Sequence, residues 1–144
     1  MTNIEEQRYQ RIGGIDQWIQ IRGDDRDNPV LLVLHGGPGS PYALFTPLLR
    51  EWEKHFTVVQ WDRRGAGKTL RRNGRGQMSF ELCISDAVEL VDHLRSYLDK
   101  DKVVLLAGSM GTMIGTPLVQ RRPDLFEVYV ATDLYVDMVE NEKE

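Results

Sequence analysis

Seven residues constrain this chain more than any others: Leu105-Leu106-Ala107-Gly108-Ser109-Met110-Gly111. An apolar run ending in Ala-Gly-Ser-Met-Gly reads as a buried strand that enters a sharp turn, presents one hydroxyl and continues into a helix. Small residues two before and two after the serine are what such a turn demands. The serine backbone is held strained between strand and helix, and a bulky neighbour would collide with it. A second segment has the same grammar. Val30 to Leu34 is continuously apolar and runs into His35-Gly36-Gly37-Pro38-Gly39, a glycine-rich loop able to aim backbone N–H groups at a developing oxyanion.

Strands and helices alternate around these two segments. Residues 7–12 and 17–22 alternate apolar and polar on either side of Gly13-Gly14, which predicts an antiparallel hairpin with one wet face. Phe45, Leu48, Leu49, Trp52 and Phe56 fall at helical spacing. Residues 57–61 make the next strand, followed by a Gly- and Arg-rich loop from 62 to 77. Ser79 caps a long helix whose stripe is Phe80, Ile84, Ala87, Val88, Val91, Leu94 and Leu98. Residues 102–106 form the central strand. A helix follows from about 110 to 122, kinked by Pro117 and ended by Pro123, and residues 126–131 form the last strand. The pattern predicts one α/β domain over residues 1–144: a mostly parallel sheet of about six strands, an N-terminal antiparallel hairpin and helices on both faces. Ligands of such sheets bind at the carboxyl ends of the parallel strands. The loops after residues 34, 61 and 108 all fall on that edge.

A net charge of −4 speaks against nucleic acid as a partner, since its binders carry a basic face. The cluster Arg63, Arg64, Lys68, Arg71, Arg72, Arg75 reads instead as a solvated loop paired with acidic neighbours. The single cysteine, Cys83, permits no intrachain disulfide and suits a reducing compartment. The N-terminus lacks the apolar core of a signal peptide, and no apolar run is long enough to span a bilayer. The expectation is a cytoplasmic protein with no membrane partner. One cysteine and three scattered histidines offer no metal-ligand spacing, and no cofactor is expected. Gly65-Ala66-Gly67-Lys68-Thr69 ends like a phosphate loop, but Asp62 stands where that motif has its first glycine, and no helix is expected straight after Thr69.

Taken in order, His35-Gly36-Gly37-Pro38-Gly39, Trp61-Asp62-Arg63-Arg64-Gly65-Ala66-Gly67-Lys68-Thr69 and Gly108-Ser109-Met110-Gly111 resemble the motif series of the α/β-hydrolases of the proline iminopeptidase type. The resemblance runs from about residue 10 to the end of the chain. It implies a serine hydrolase with Ser109 as nucleophile, acting on a small-molecule ester or amide through an acyl-enzyme. The oxyanion hole would be the backbone N–H of Met110 with those of Gly36 and Gly37. Members of that family continue past the sixth strand into a helical lid and two further strands bearing the acid and the histidine of the triad. This sequence ends at Glu144, so the resemblance implies a truncated α/β-hydrolase fold with an incomplete triad and weak, broad activity on activated esters. The alternative is a catalytically crippled remnant that serves as a binding module or is a fragment.

Of the three histidines, His93 reads as a surface side chain and His55 as a cation at a helix C-terminus. His35 alone approaches the serine turn, either as general base or as a support for the oxyanion loop. Asp133 stands where some hydrolases place their acid, but reads as a turn residue. With the following strands absent, 126–131 is an apolar edge, which predicts a homo-oligomer formed through it.

Overall fold

The computed structural model describes residues 2–35 and 50–132. Two antiparallel strands open the fold, β1 (Ile4–Ile12) and β2 (Ile15–Gly23), paired in continuous register from Ile4–Gly23 to Ile12–Ile15. Between them Gly13 and Gly14 take φ of 59° and 79°, the left-handed backbone of a two-residue turn whose twist matches that of the strands it joins. The sheet is completed by β3 (Val30–Leu34), β4 (Thr57–Asp62), β5 (Val103–Gly108) and β6 (Phe126–Thr132). Its order is β1-β2-β4-β3-β5-β6. β2 meets β4 antiparallel, while β4–β3, β3–β5 and β5–β6 are parallel. This is the mostly parallel six-stranded sheet with a leading hairpin that the sequence pattern predicts.

Among the described residues three α-helices accompany it: α1 (Gly67–Asn73), α2 (Phe80–Tyr97) and α3 (Thr112–Arg121). The period of two along each strand divides the apolar side chains between two layers. Val30, Leu32 and Leu34 of β3 join Val103, Leu105 and Ala107 of β5 in the larger core with Ile84, Ala87, Leu90, Val91 and Leu94 of α2 and Ile114 and Leu118 of α3. Leu31, Val33, Val58 and Val104 form a smaller cluster on the opposite face, with Phe56 and Leu106 against it. The Ser79 hydroxyl accepts the Leu82 N–H at the start of α2, as a cap should. No helix among the described residues is long and apolar enough to cross a membrane.

The structure departs from the sequence reading in local detail. Residues 67–73, read as loop, form α1. Asp62 at the end of β4 explains this, because its carboxylate accepts the Lys68 N–H at 2.9 Å and its carbonyl accepts the Thr69 hydroxyl, so the strand end itself holds the first turn. Of the helical spacing from Phe45 to Phe56, residues up to Leu49 lie outside the described residues; Trp52–Lys54 is a single 3-10 turn with Trp52 exposed. Phe80 is exposed rather than part of the buried stripe, since it is the first residue of α2 and the buried positions begin at Cys83. The turn after β5 is itself a 3-10 turn, Ser109–Gly111, so α3 begins at Thr112, with Pro117 inside it as the sequence reading has it.

Candidate active site

Leu34 pairs with Ala107 in parallel register, so the chain leaves β3 at His35 beside Gly108 and the Ser109–Gly111 turn. Gly111 backs directly onto β3. A Cβ built there would lie 2.6 Å from the Leu34 carbonyl oxygen and 2.8 Å from that of His35, closer than side-chain carbon approaches oxygen. The small residue two places after the serine is thus required by named partners, the last carbonyls of the neighbouring strand.

His35 is buried, with 1% of its surface exposed. The Arg63 Nη1 donates to its carbonyl at 2.9 Å and stands 3.0 Å from Nδ1 and 3.1 Å from Nε2. The two ring nitrogens flank one carbon, so an atom this close to both lies over the ring face rather than in line with either lone pair. Nη1 of the guanidinium therefore lies against the imidazole. Burial pushes the Arg63 guanidinium below its ordinary range.

Arg64 is also buried, and both arginines correct the expectation of a solvated basic loop. Arg64 Nε donates to Oδ2 of Asp86 at 2.6 Å and Nη2 to Oδ1 at 3.1 Å, a two-pronged charged pair that raises the arginine's pKa above its ordinary value. Around this pair a network closes. Arg64 Nη2 donates to the Gly13 carbonyl, Gln17 Nε2 to Asp86 Oδ2 and the Ile12 carbonyl, and the Trp61 indole N–H to Gln17 Oε1. A Cβ on Gly13 would fall 2.0 Å from Asp86 Oδ1, so glycine lets the hairpin tip reach α2. The network fastens hairpin, β4 and α2 together and fixes the 62–65 loop from which Arg63 reaches His35. Sequence reasoning missed Asp86, Gln17 and the role of both arginines. The signal was an acid on the apolar face of α2, between Cys83 and Leu90, where an unpaired carboxylate would be costly.

The groups that a phosphate loop would use are engaged internally. The Thr69 hydroxyl bonds the Asp62 carbonyl and accepts the Trp18 N–H, the Lys68 N–H meets the Asp62 carboxylate, and Lys68 Nζ lies 3.9 Å over the Trp18 ring. Burial pushes the Asp62 carboxyl up, opposed by the Lys68 N–H and the Lys68 charge. His93 is half-buried rather than fully on the surface: Nε2 lies 3.2 Å from Arg8 Nη2 and the ring stacks on Tyr97. His55 is exposed just after its 3-10 turn. Gly36, Gly37 and Asp133 lie outside the described residues. Among the described residues, no group of His, Cys, Asp and Glu is close enough together to hold a metal ion.

Next to the serine turn is a cavity of about 270 Å³, whose wall includes Arg63, Met78, Phe80, Cys83, Met110 and Ile114. It joins the end of β4, the start of α2 and the start of α3.

Known proteins are similar to this chain in sequence and in fold. The chain is 35% identical to "Probable aminopeptidase YbaC" of Bacillus subtilis (strain 168) over 133 residues, covering 91% of this chain and 42% of that protein. It is 30% identical to a proline iminopeptidase of Lactobacillus delbrueckii subsp. bulgaricus, covering 79% of this chain and 38% of that protein. The chain thus spans about two-fifths of the length of these curated relatives. Among solved structures, a proline iminopeptidase-related protein of Thermus thermophilus superposes with a TM-score of 0.72 at 26% identity, covering 89% of this chain and 44% of that one. The profile of the alpha/beta hydrolase fold matches residues 29–138. With β3, β5 and the turn between β5 and α3 all inside the matched region, the chain belongs to the α/β-hydrolase family.

Proposed function

We propose that this chain is a serine hydrolase with weak, broad activity on activated esters, and that Ser109 is its nucleophile. The Ser109 oxygen attacks the ester carbonyl, the tetrahedral oxyanion is held by the N–H of Met110 and those of Gly36 and Gly37, and the acyl–oxygen bond of the leaving group breaks. The serine proton ends on the departing alcohol. Water then releases the acyl group as a carboxylic acid and restores the hydroxyl. One observation supports this reading above the rest: the Ser109–Gly111 turn at the carboxyl end of β5 packs through Gly111 on Leu34 and His35, where the 36–37 loop begins. His35 is assigned the support of that loop, through its contacts with Arg63. Activated aryl esters suit such a site because their leaving groups need little protonation. An oxyanion hole and binding alone sustain roughly 10³–10⁴-fold catalysis over water when a triad member is removed.

A second reading is favoured by length. The relatives are more than twice as long as the stretch matched here, so the chain could serve as a binding module or as a fragment of a larger hydrolase that turns nothing over alone. Fluorophosphonate labelling followed by mass spectrometry separates the two. A phosphonylated Ser109, lost in Ser109→Ala, is the expected result; modification of another residue overturns the first reading, and an intact, folded, unlabelled chain favours the second. We further assign the protein to a cytoplasmic setting with Cys83 reduced, and to a homo-oligomer built on β6, where Val128 and Val130 are exposed.

A further inference from the structure

We propose that the cavity beside the serine turn is a binding site for an uncharged apolar group the size of a phenyl ring or a short branched alkyl chain, and that it receives the acyl side of the ester. The second half of that statement rests on the hydrolase reading above; the first does not. Size comes first. An apolar cavity of ~150 Å³ is enough to bind benzene, and this one holds about 270 Å³.

Chemistry narrows the ligand further. Met78, Phe80, Met110 and Ile114 present thioether, aromatic and aliphatic surface. The Ser79 hydroxyl, also on the wall, is occupied in capping α2. Arg63 is the one charged residue on the described wall, and its Nη1 is committed to the His35 carbonyl and ring. Asp86, nearby on α2, is paired with Arg64. Burial raises the Cys83 thiol above its usual range, which keeps it neutral. A charged ligand would give up its hydration against a wall of mostly thioether, aromatic and aliphatic surface, whereas an apolar one gains from every methylene it hides.

Position assigns the acyl side. Met110 belongs both to this wall and to the turn after β5, where its N–H is the proposed oxyanion donor. A substituent carried directly on the carbonyl carbon, and retained in the acyl-enzyme, is therefore the part of the ester nearest the cavity.

Cys83 is the chain's only cysteine and lines the cavity, so N-ethylmaleimide alkylates one site, and its rate, read beside a thermal melt that reports any change in stability, follows access to that wall. The rate is measured on Ser109→Ala, which removes hydrolysis, with saturating toluene or with benzoate at the same concentration. Toluene is expected to slow alkylation at least fivefold and benzoate to leave it unchanged. Phe80→Asp, at an exposed position and checked for folding by circular dichroism, is expected to abolish the protection. No protection by toluene, equal protection by benzoate, or undiminished protection in Phe80→Asp overturns the site. In the unaltered chain, kcat/KM for p-nitrophenyl esters is expected to rise about fourfold per acyl methylene from acetate to butyrate, the ~0.8 kcal/mol of a buried methylene expressed as a ratio. Lengthening the alcohol side of aryl-activated acetates is expected to change it little; the reverse pattern overturns the acyl assignment. Toluene protection without any ester turnover refutes the hydrolase reading and leaves the cavity as a ligand site.

Discussion

Gly111 and Leu34 are in backbone contact: the space a side chain on Gly111 would need is occupied by the Leu34 carbonyl oxygen, 2.6 Å from where the Cβ would stand. The serine turn is therefore pressed against the end of β3 and His35 by main chain rather than by side chains. Gly111→Ala must push the turn and the strand end apart, because Leu34 is paired with Ala107 in the β3–β5 ladder and the His35 carbonyl is held by Arg63 Nη1. Overpacking of this kind costs about 1–3 kcal/mol. Thermal melts should register that loss, and fluorophosphonate labelling of Ser109 should fall further than the loss of folded protein accounts for. Gly115→Ala is the control. Its Cβ would meet the Tyr129 hydroxyl at 2.9 Å, the far end of a flexible side chain, and the Ala107 Cβ at 3.1 Å, looser than the two carbonyls around Gly111, and the cost should be smaller.

The Arg64–Asp86 pair predicts a non-additive pattern. Both side chains are almost fully buried, so removing one partner strands a charge. Asp86→Ala or Arg64→Met should each destabilise by about 3–5 kcal/mol in urea unfolding. The double change Arg64→Met with Asp86→Leu should cost less than the sum and no more than the worse single change, because no unpaired charge remains. Strict additivity would mean the two groups do not act as a pair.

Stability should fall on mild acidification, and His93 sets the sign. Arg8 offers donors only, so the His93 Nε2 facing it at 3.2 Å must accept, which requires a neutral ring. Burial, and then the Arg8 charge, lower its pKa below the ordinary 6.5. The unfolded chain therefore binds this proton before the folded one does, and stability is full above about pH 6.5 and declines as pH drops toward the folded pKa. His93→Gln should flatten that part of the stability–pH curve. An unchanged slope would place the acid sensitivity elsewhere.

The strand pattern was legible because the sheet buries β3 and β5 on both faces, so continuous apolar runs mark them without ambiguity. Gly13-Gly14 marked the hairpin for an equally local reason. What stayed hidden was non-local. Nothing in Arg63-Arg64 says that one guanidinium lies on His35, 28 residues earlier in the chain, and the other on Asp86. Composition assigned both to solvent, whereas the fold satisfies them inside. The α1 helix was missed for a similar reason, since Asp62 and Thr69 are weak signals singly and stabilise a turn only when β4 ends beside them.

Among the described residues β6 pairs on one side, with β5. Val130 lies opposite Leu106 in register and is 44% exposed, which is an open apolar edge able to pair with another copy. Val130→Lys should therefore shift the protein toward monomer in multi-angle light scattering without unfolding it, while Val103→Lys, at a fully buried position, should unfold it. A monodisperse monomer of the unaltered chain at micromolar concentration would refute assembly through this strand.

His35 offers the sharpest test of mechanism. As a general base it would become imidazolium during turnover, with a guanidinium nitrogen about 3 Å from its ring in a buried site. Two cations in contact away from water repel strongly, so the arrangement suits a neutral ring that holds the loop. His35→Ala should then lower ester hydrolysis while the pH–rate profile keeps its shape between about pH 5 and 8. Loss of an ionisation in that range is the signature expected of a base. Arg63→Met should lower the rate by a similar factor, and combining the two should cost little more than either alone, since both remove one contact; coupling of roughly 0.5–3 kcal/mol is usual for touching residues. Additive effects, or a profile that goes flat in His35→Ala, would assign proton transfer to His35 and overturn the supporting role.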